Sequence, residues 1–205
     1  MALTLSKGQN LSLTKNDPGL TRITVGLGWD ARSTDGQEFD LDASALLLNS
    51  DRKVRSEADF VFYNQMGDVT LPNSGGVPQF DPERASVMYQ GDNRTGEGDG
   101  DDEQIVVDLT KVPNDVESIV FTVSIYDFEA RRQQFGQVRN AFIRLENEIT
   151  KQEIVRYDLT EDYSTETALI FAELYRYNGE WKFRAVGQGF NDGLAGIIRT
   201  FGLNL

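Results

Sequence analysis

The sequence contains neither cysteine nor histidine among its 205 residues. These absences exclude disulfide bonds, thiol redox chemistry and the usual zinc sites, and they exclude catalytic triads that need an imidazole or a thiol. No apolar stretch approaches the roughly 18 residues that a membrane-spanning helix requires. The first seven residues, MALTLSK, also lack the continuous apolar run of a signal peptide. The sequence therefore predicts a soluble cytoplasmic protein.

Positive charge is scarce as well. The chain has 20 Lys and Arg residues against 33 Asp and Glu residues, which gives a net charge of −13. Residues 130–205 carry equal numbers of basic and acidic residues, so the whole net charge lies in residues 1–129. A nucleic-acid partner needs a basic face, and this composition excludes one. The hydrophobic share of 39% is nevertheless sufficient for a folded core.

Short alternating segments separated by turn signals predict an all-β fold. The clearest hairpin has strands at residues 168–177 and 180–186 on either side of Asn178-Gly179, a pair that suits the positive φ values of a type I′ turn. No linker divides the chain. We therefore expect residues 1–205 to form a single β-sandwich domain of two mainly antiparallel sheets with short peripheral helices.

Two segments have the pattern of short helices. Residues 128–138 are rich in Arg and Gln, and residues 193–201 place apolar side chains at helical spacing. We expect the second helix to cover the core and not to bind a membrane, because it lacks a basic polar face. Arg131 and Arg132 of the first helix are interpreted as part of a solvated face. The alternatives are that they pair with acidic residues of the chain or bind an anionic partner.

The acidic segment 91–103 reads GDNRTGEGDGDDE and contains six carboxylates and four glycines. So many like charges repel one another unless a cation neutralises them, and carboxylate and carbonyl oxygens on a flexible loop are the ligands that Ca²⁺ prefers. A solvated acidic loop is the alternative. The spacing of Asp92 and Glu103 fits an EF-hand in length, but Arg94 and Gly96 stand where that motif needs Asp or Asn. The candidate ligands here are Asp92, Gly98 through its carbonyl, Asp99, Asp102 and Glu103.

Other acidic and amide side chains stand at the ends of predicted strands. Asp40 and Asp42 are two residues apart, so on a strand they face the same side. Asp42 directly precedes an apolar run, where an unpaired charge is costly. Because several strand ends meet at one edge of a sandwich, we expect these residues to share a cation site. This second group of candidate ligands is Asp30, Asp40, Asp42, Asn64 and Asp127.

The chain resembles the TerD family of tellurite-resistance and calcium-binding stress proteins. The matching strings are VGLGWD at 25–30, FDLDASA at 39–45, the acidic segment at 91–103, ARRQQFG at 130–136, ELYR at 173–176 and WKFRAVGQG at 181–189. The resemblance implies a cytoplasmic β-sandwich that binds two Ca²⁺ ions at one edge. It also implies a stress-response system with related proteins and membrane-associated partners, and no established catalytic activity.

Three functions follow as hypotheses. The first, which we favour, is a Ca²⁺-dependent binding or scaffold module without enzymatic activity. The second is a Ca²⁺-dependent binder of membranes or anionic partners. The third is a metal-assisted hydrolase, which is disfavoured because no motif for a nucleophile, a base or a substrate pocket accompanies the acidic residues. Direct reduction of tellurite is also disfavoured, because such chemistry needs thiols or a redox cofactor.

Overall fold

Strands dominate the computed structural model of the chain, which describes residues 2–31, 36–69, 80–91, 93–98, 100–159 and 163–203. The strands, in chain order, are β1 Leu3–Thr4, β2 Asn10–Ser12, β3 Arg22–Gly28, β4 Leu41–Leu48, β5 Phe60–Val61, β6 Val87–Tyr89, β7 Glu103–Asp108, β8 Ser118–Ile125, β9 Phe142–Asn147, β10 Glu153–Asp158, β11 Ala168–Tyr177 and β12 Glu180–Phe190. The α-helices are α1 Leu13–Asn16, α2 Phe128–Arg131 and α3 Gly193–Thr200, and 3₁₀ turns lie at Glu57–Asp59 and Phe135–Gln137.

These strands form two six-stranded sheets. The first sheet has the order β1-β10-β9-β3-β7-β6, and the second has the order β2-β12-β11-β8-β4-β5. Neighbouring strands are antiparallel except for the parallel pair of β1 and β10. The predicted all-β sandwich is therefore confirmed.

The main core lies between the two sheets, and the central strands of the second sheet are buried on both faces. In β8, Ile119, Phe121 and Val123 pack into the main core, whereas Val120 faces the other side. Alternate residues of a strand point to opposite faces, and the other face of β8 also carries the buried polar residues Ser118, Thr122 and Ser124. The hydroxyl of Thr122 is hydrogen-bonded to that of Ser44 in β4 at 2.6 Å, so this face buries small polar side chains in pairs.

Helix α3 covers part of the outer face of the second sheet. Ile197 and Ile198 of α3 pack with Leu46 and Leu48 of β4 in a second buried cluster. The expected C-terminal helix over the core is thus confirmed. Within the described ranges, no helix is long and apolar enough to cross a membrane.

The local predictions at two turns had different outcomes. Asn178 and Gly179 adopt φ values of 52° and 78°, as a type I′ hairpin turn requires. The prediction of a helix over residues 128–138 was wrong, because helix α2 ends after one turn and only a 3₁₀ turn follows. Arg132 has a φ of 51°, a left-handed conformation that terminates a helix. The N–H of Phe135 then donates to the carbonyl of Glu166. This bond ties the chain to the segment before β11 and not to a preceding helical turn.

Candidate metal centre at one end of the sandwich

Trp29 joins three separate stretches of the chain at one end of the sandwich. It follows β3 directly, and its backbone N–H donates a hydrogen bond to Oδ2 of Asp102 at 2.9 Å. Its indole Nε1–H donates to the carbonyl of Phe39, which precedes β4, at 3.2 Å. The Trp29 side chain is buried. These bonds bring the acidic segment, the end of β3 and the start of β4 together, and we call this end of the sandwich the acidic rim.

Glycines allow the acidic segment to lie directly on Trp29 and on the end of β3. A Cβ atom on Gly28 would lie 2.8 Å from the carbonyl oxygen of Gly100, and a Cβ on Gly96 would lie 2.4 Å from Nε1 of Trp29. Gly96 also has a φ of 68°, which favours glycine. At both positions the close approach of the loop requires the absence of a side chain.

Glu103 connects the two sheets at the acidic rim. It is the first residue of β7 and is only 1% exposed. Its Oε1 accepts a hydrogen bond from the hydroxyl of Tyr89 at 2.6 Å. Its Oε2 accepts a short hydrogen bond from the backbone N–H of Ala43, which belongs to β4 in the opposite sheet. Glu103, predicted as a metal ligand, therefore also has a structural role.

Asp102 has an unfavourable electrostatic environment for a carboxylate. Its Oδ1 accepts a hydrogen bond from the side-chain amide of Asn93 at 2.7 Å, in addition to the bond from Trp29. Burial raises the pKa of the Asp102 carboxyl above its ordinary value, and the negative charges of Asp101 and Asp30 raise this pKa further, against the opposing effect of the Trp29 N–H. Negative charge at this position is thus incompletely compensated by the surrounding residues.

Asp30, by contrast, is exposed at the surface. Its Oδ2 accepts a hydrogen bond from the side-chain amide of Asn140 at 2.6 Å, and its backbone N–H donates to the carbonyl of Arg139 at 3.0 Å. The negative charge of Asp30 raises the pKa of Asp102, and Trp29, the neighbour of Asp30 in the chain, bonds to Asp102. These two predicted ligands, from sequence positions 30 and 102, therefore lie at the same end of the sandwich.

Asp101 belongs to the acidic segment but is neutralised by the protein itself. Arg144 of β9 binds both of its oxygens, with distances of 2.6 Å from Nε to Oδ1 and 3.1 Å from Nη2 to Oδ2. This pair was missed by the sequence analysis. The signal that could have found it is Gly26, a glycine within a strand, because a Cβ there would lie 2.1 Å from Asp101 Oδ2, and such glycines mark close approaches.

Asp40 and Asp42 lie together on the outer face of the second sheet. Leu41 and Ala43 point into the main core, so Asp42 between them points away from it. Both acidic residues are buried. Oδ2 of Asp40 is paired with Nη2 of Arg131 at 3.3 Å. The interpretation of Arg131 as part of a solvated face was therefore wrong, and the alternative of pairing with an acidic residue is correct.

A small pocket of about 250 Å³ opens beside Asp42. Its acidic lining residues are Asp42, Asp127, Glu129 and Asp192. Asp127 has a φ of 49° at the start of α2. Asn64 is an exposed turn residue, and only its neighbour Tyr63 lines the pocket. The structure therefore places Asp42 and Asp127 at one pocket, as the hypothesis of converging strand ends requires.

Three predicted ligands of the acidic segment remain, namely Gly98, Asp92 and Asp99. Gly98 is exposed with a φ of 130°, whereas Asp92 and Asp99 lie outside the described residues. Among the residues that the structure describes, no three acidic side chains form a group that could hold a metal ion by themselves. The metal centre stays a prediction, and the arrangement divides its candidates into one group around Asp102 and another around Asp42.

Replacing Glu103 by Gln tests the structural role of this residue. The amide oxygen can still accept from the Ala43 N–H, but the amide NH₂ can only donate to the Tyr89 hydroxyl, which must reorient to accept, and both bonds lose the strength that the carboxylate charge gives them. We expect the free energy of unfolding, measured by urea titration in a chelator, to fall by roughly 1–3 kcal/mol. Tyr89→Phe, which removes only one of the two bonds, should cost about 1 kcal/mol. A Glu103→Gln protein that matches the wild type in chelator and differs only with calcium would contradict this role.

The raised pKa of Asp102 predicts a pH dependence of stability without metal. The folded state holds this proton more tightly than the unfolded state, in which the pKa is about 3.9. As pH rises from that value through the higher folded-state pKa, the wild type should lose stability relative to Asp102→Asn. Urea titrations of both proteins in chelator across this range measure the difference. A relative gain by the wild type would show that the sign is wrong.

Comparison with known proteins places the whole sandwich in one family. Residues 1–201 match the TerD domain. The chain is 57% identical over 204 residues to "Tellurium resistance protein TerD" of Serratia marcescens, and the alignment covers 100% of this chain and 99% of that protein. It is 50% identical over 206 residues to "General stress protein 16U" of Bacillus subtilis (strain 168), with 100% of both chains covered.

The fold also matches a solved structure. The crystal structure of a homologue of telluride resistance protein (TerD) from Streptomyces coelicolor A3(2) superimposes with a TM-score of 0.67, covers 88% of this chain and 96% of that chain, and is 21% identical. At that identity the likeness concerns the fold alone. The family match and the similarity to curated relatives along the full length lead to one conclusion: this chain belongs to the TerD domain family of tellurium-resistance and general stress proteins.

Proposed function

We propose that this protein is a calcium-dependent binding module in the cellular response to tellurium and related stress. The observation that carries the proposal is the acidic rim, where Trp29 and Glu103 hold three separate stretches of the chain together. The oxygen donors at the rim suit a hard cation such as Ca²⁺. The uncompensated charge at Asp102, expressed in its raised pKa, supports the same conclusion.

The two groups of carboxylates support a stoichiometry of two calcium ions. Asp102 and Asp30 would hold one ion, and the acidic segment contains Asp92, Asp99 and the carbonyl of Gly98 as further candidates. Asp42 and Asp127 would hold the other, with Asp40, two residues from Asp42, and Asn64, next to the pocket-lining Tyr63, as further candidates. Glu103 joins the two groups, because it lies next to Asp102 in the chain and bonds to Ala43, the neighbour of Asp42.

Bound calcium would supply positive charge to a rim that is otherwise strongly negative. The chain's own residues fix the backbone of the rim in advance, since Trp29, Glu103 and the glycines position the loop by hydrogen bonds and close packing. The change on binding is then chiefly one of surface charge, and it alters which partners the rim attracts. Related stress proteins in the cytoplasm, some of them associated with membranes, are the partners that we propose.

The proposal includes no catalytic step. Tellurite reduction requires thiols or a redox cofactor, and the chain contains no cysteine. Protection against tellurium would then be indirect, through the partners that the calcium-loaded rim recruits. A hydrolytic role has no specific support in the arrangement of the described residues around Asp42 and Asp102.

Isothermal titration of the metal-free protein with Ca²⁺ tests the proposal. We expect two binding events and an increase in thermal stability, because a ligand that binds only the folded state stabilises it. Asp102→Asn should weaken one event, and Asp42→Asn should weaken the other. Asp115→Asn, at an exposed ion pair with Arg55, is the matched control and should leave both unchanged. The absence of both heat and stabilisation at millimolar Ca²⁺ would contradict the proposal.

A further inference from the structure

The outer face of the second sheet has one covered half and one open half. Rows of cross-strand neighbours run across this face, and one row contains Leu46, Val120, Glu173 and Arg184. Leu46 and Val120 lie under α3 in the second buried cluster. Glu173 and Arg184 lie on β11 and β12, toward the Asn178-Gly179 end of the hairpin, where the side chains are more exposed.

Glu173 holds two arginines in fixed positions on the open half. Its Oε1 is 2.7 Å from Nη1 of Arg52, and its Oε2 is bonded to Nη2 of Arg184. The Glu173 side chain is only 2% exposed, whereas those of Arg52 and Arg184 are 56% and 43% exposed. Although burial raises the pKa of Glu173, the bonds and charges of the two arginines outweigh it and lower the pKa overall. The carboxylate is therefore hidden, and the guanidinium groups are presented to the solvent.

Two tyrosines and a lysine extend this arrangement toward the end of the hairpin. The guanidinium of Arg184 lies 5.4 Å from the ring centroid of Tyr175, and Nζ of Lys182 lies 4.5 Å from that of Tyr177. Tyr177 is 54% exposed. Contacts of cations with aromatic faces restrain the long basic side chains. We call this surface the cationic strip and define it by Arg52, Glu173, Tyr175, Tyr177, Lys182 and Arg184.

The cationic strip differs in charge from the rest of the chain. It presents three cations against the hidden carboxylate of Glu173 and the partly buried carboxylate of Glu180, in a protein whose net charge is −13. Glu180, at its end, accepts a hydrogen bond from the hydroxyl of Ser12 at 2.7 Å. Glu173 and Arg184 share a row with Leu46, four residues along β4 from Asp42, which corresponds to about 13 Å along the strand, and they lie two and three strands away from β4. The strip is therefore separate from the acidic rim and from the calcium sites proposed there.

We infer that the cationic strip is a docking surface for an acidic segment of a partner protein. Each guanidinium has five N–H donors in a planar fork that suits carboxylates, and the bonds to Glu173 use only some of them. Because the arginines are already held in place, less side-chain entropy is lost when a ligand binds. Exposed Tyr and Arg side chains are also the types that contribute most to binding at protein interfaces.

The observations favour a protein ligand over an anionic membrane. Electrostatic attachment to a membrane typically uses a cluster of 4–8 basic residues, and the strip has three. The large net negative charge of the chain would also be repelled by an anionic lipid surface. A short acidic segment meets only the local positive field of the strip, and its carboxylates can accept hydrogen bonds from the guanidinium groups.

NMR titration of the ¹⁵N-labelled chain with a short peptide of glutamate and tyrosine residues tests this inference. The experiment is done in chelator, so its outcome is independent of the proposed calcium sites. We expect shift changes to cluster at the amides of Tyr175, Tyr177 and Lys182 and at the guanidinium of Arg184, and to disappear with a matched peptide in which glutamine replaces glutamate. Changes that are absent, scattered, or equal for the two peptides would overturn it.

Variants of the strip and lipid vesicles show whether the glutamate peptide binds at the cationic strip and whether the strip prefers a protein or a lipid ligand. Lys182→Glu should weaken binding of the glutamate peptide at least about fivefold, and Tyr177→Ser, at an exposed side chain that is not part of the core, should weaken it independently. Lys151→Glu, which changes an exposed lysine between β9 and β10 of the first sheet, is the control for net charge and should have no effect. Preferential binding to phosphatidylserine vesicles, with no response to the peptide, would identify the strip as a lipid site and overturn the inference.

Discussion

The hydrogen bonds of Trp29 and Glu103 are the interactions on which the acidic rim depends. Trp29 connects β3 to Asp102 and to the backbone before β4, and Glu103 connects β7 to β4 across the two sheets. The side chain of Glu103 is buried at one end of the main core, where a carboxylate without hydrogen-bond partners would be strongly unfavourable. Its bonds to Tyr89 and Ala43 satisfy it with neutral donors. The rim is thus assembled by the protein itself, and the proposed metal would bind to an arrangement that already exists.

The sequence predicts those features of this protein that depend on local pattern. The Asn178-Gly179 turn follows from its φ requirements, and the common face of Asp40 and Asp42 follows from strand alternation. The pairs Asp101–Arg144, Asp40–Arg131 and Ala43–Glu103 do not follow from it, because their members are 43, 91 and 60 residues apart. Alternation indicates the face on which a residue lies but not its partner in a distant strand, so the roles of Glu103 and Arg131 had to come from the fold.

The two ends of the second sheet have opposite electrostatic character. Asp40 and Asp42 lie where β4 begins, and the cationic strip lies on β11 and β12 toward the other end of the sheet, around the hidden Glu173. At both ends buried charges are paired: Asp40 with Arg131, and Glu173 with Arg52 and Arg184. In each pair the arginine is the more exposed partner, but Arg52 and Arg184 are about half exposed, whereas Arg131 is only 21% exposed and lies at the end that also carries Asp42 and Asp127. This separation would keep the proposed cation-binding surface and the proposed anion-binding surface from neutralising each other.

Amide hydrogen exchange in the metal-free protein tests most directly the claim that the rim is preassembled. The informative amides are those of Trp29, Ala43 and Asp102, which donate to Asp102, Glu103 and Leu27. If the rim is preassembled, these three amides exchange in chelator as slowly as amides inside β3 and β4. Exchange as fast as in an exposed loop, with protection appearing only after Ca²⁺ is added, would show that metal assembles the rim and would contradict preassembly.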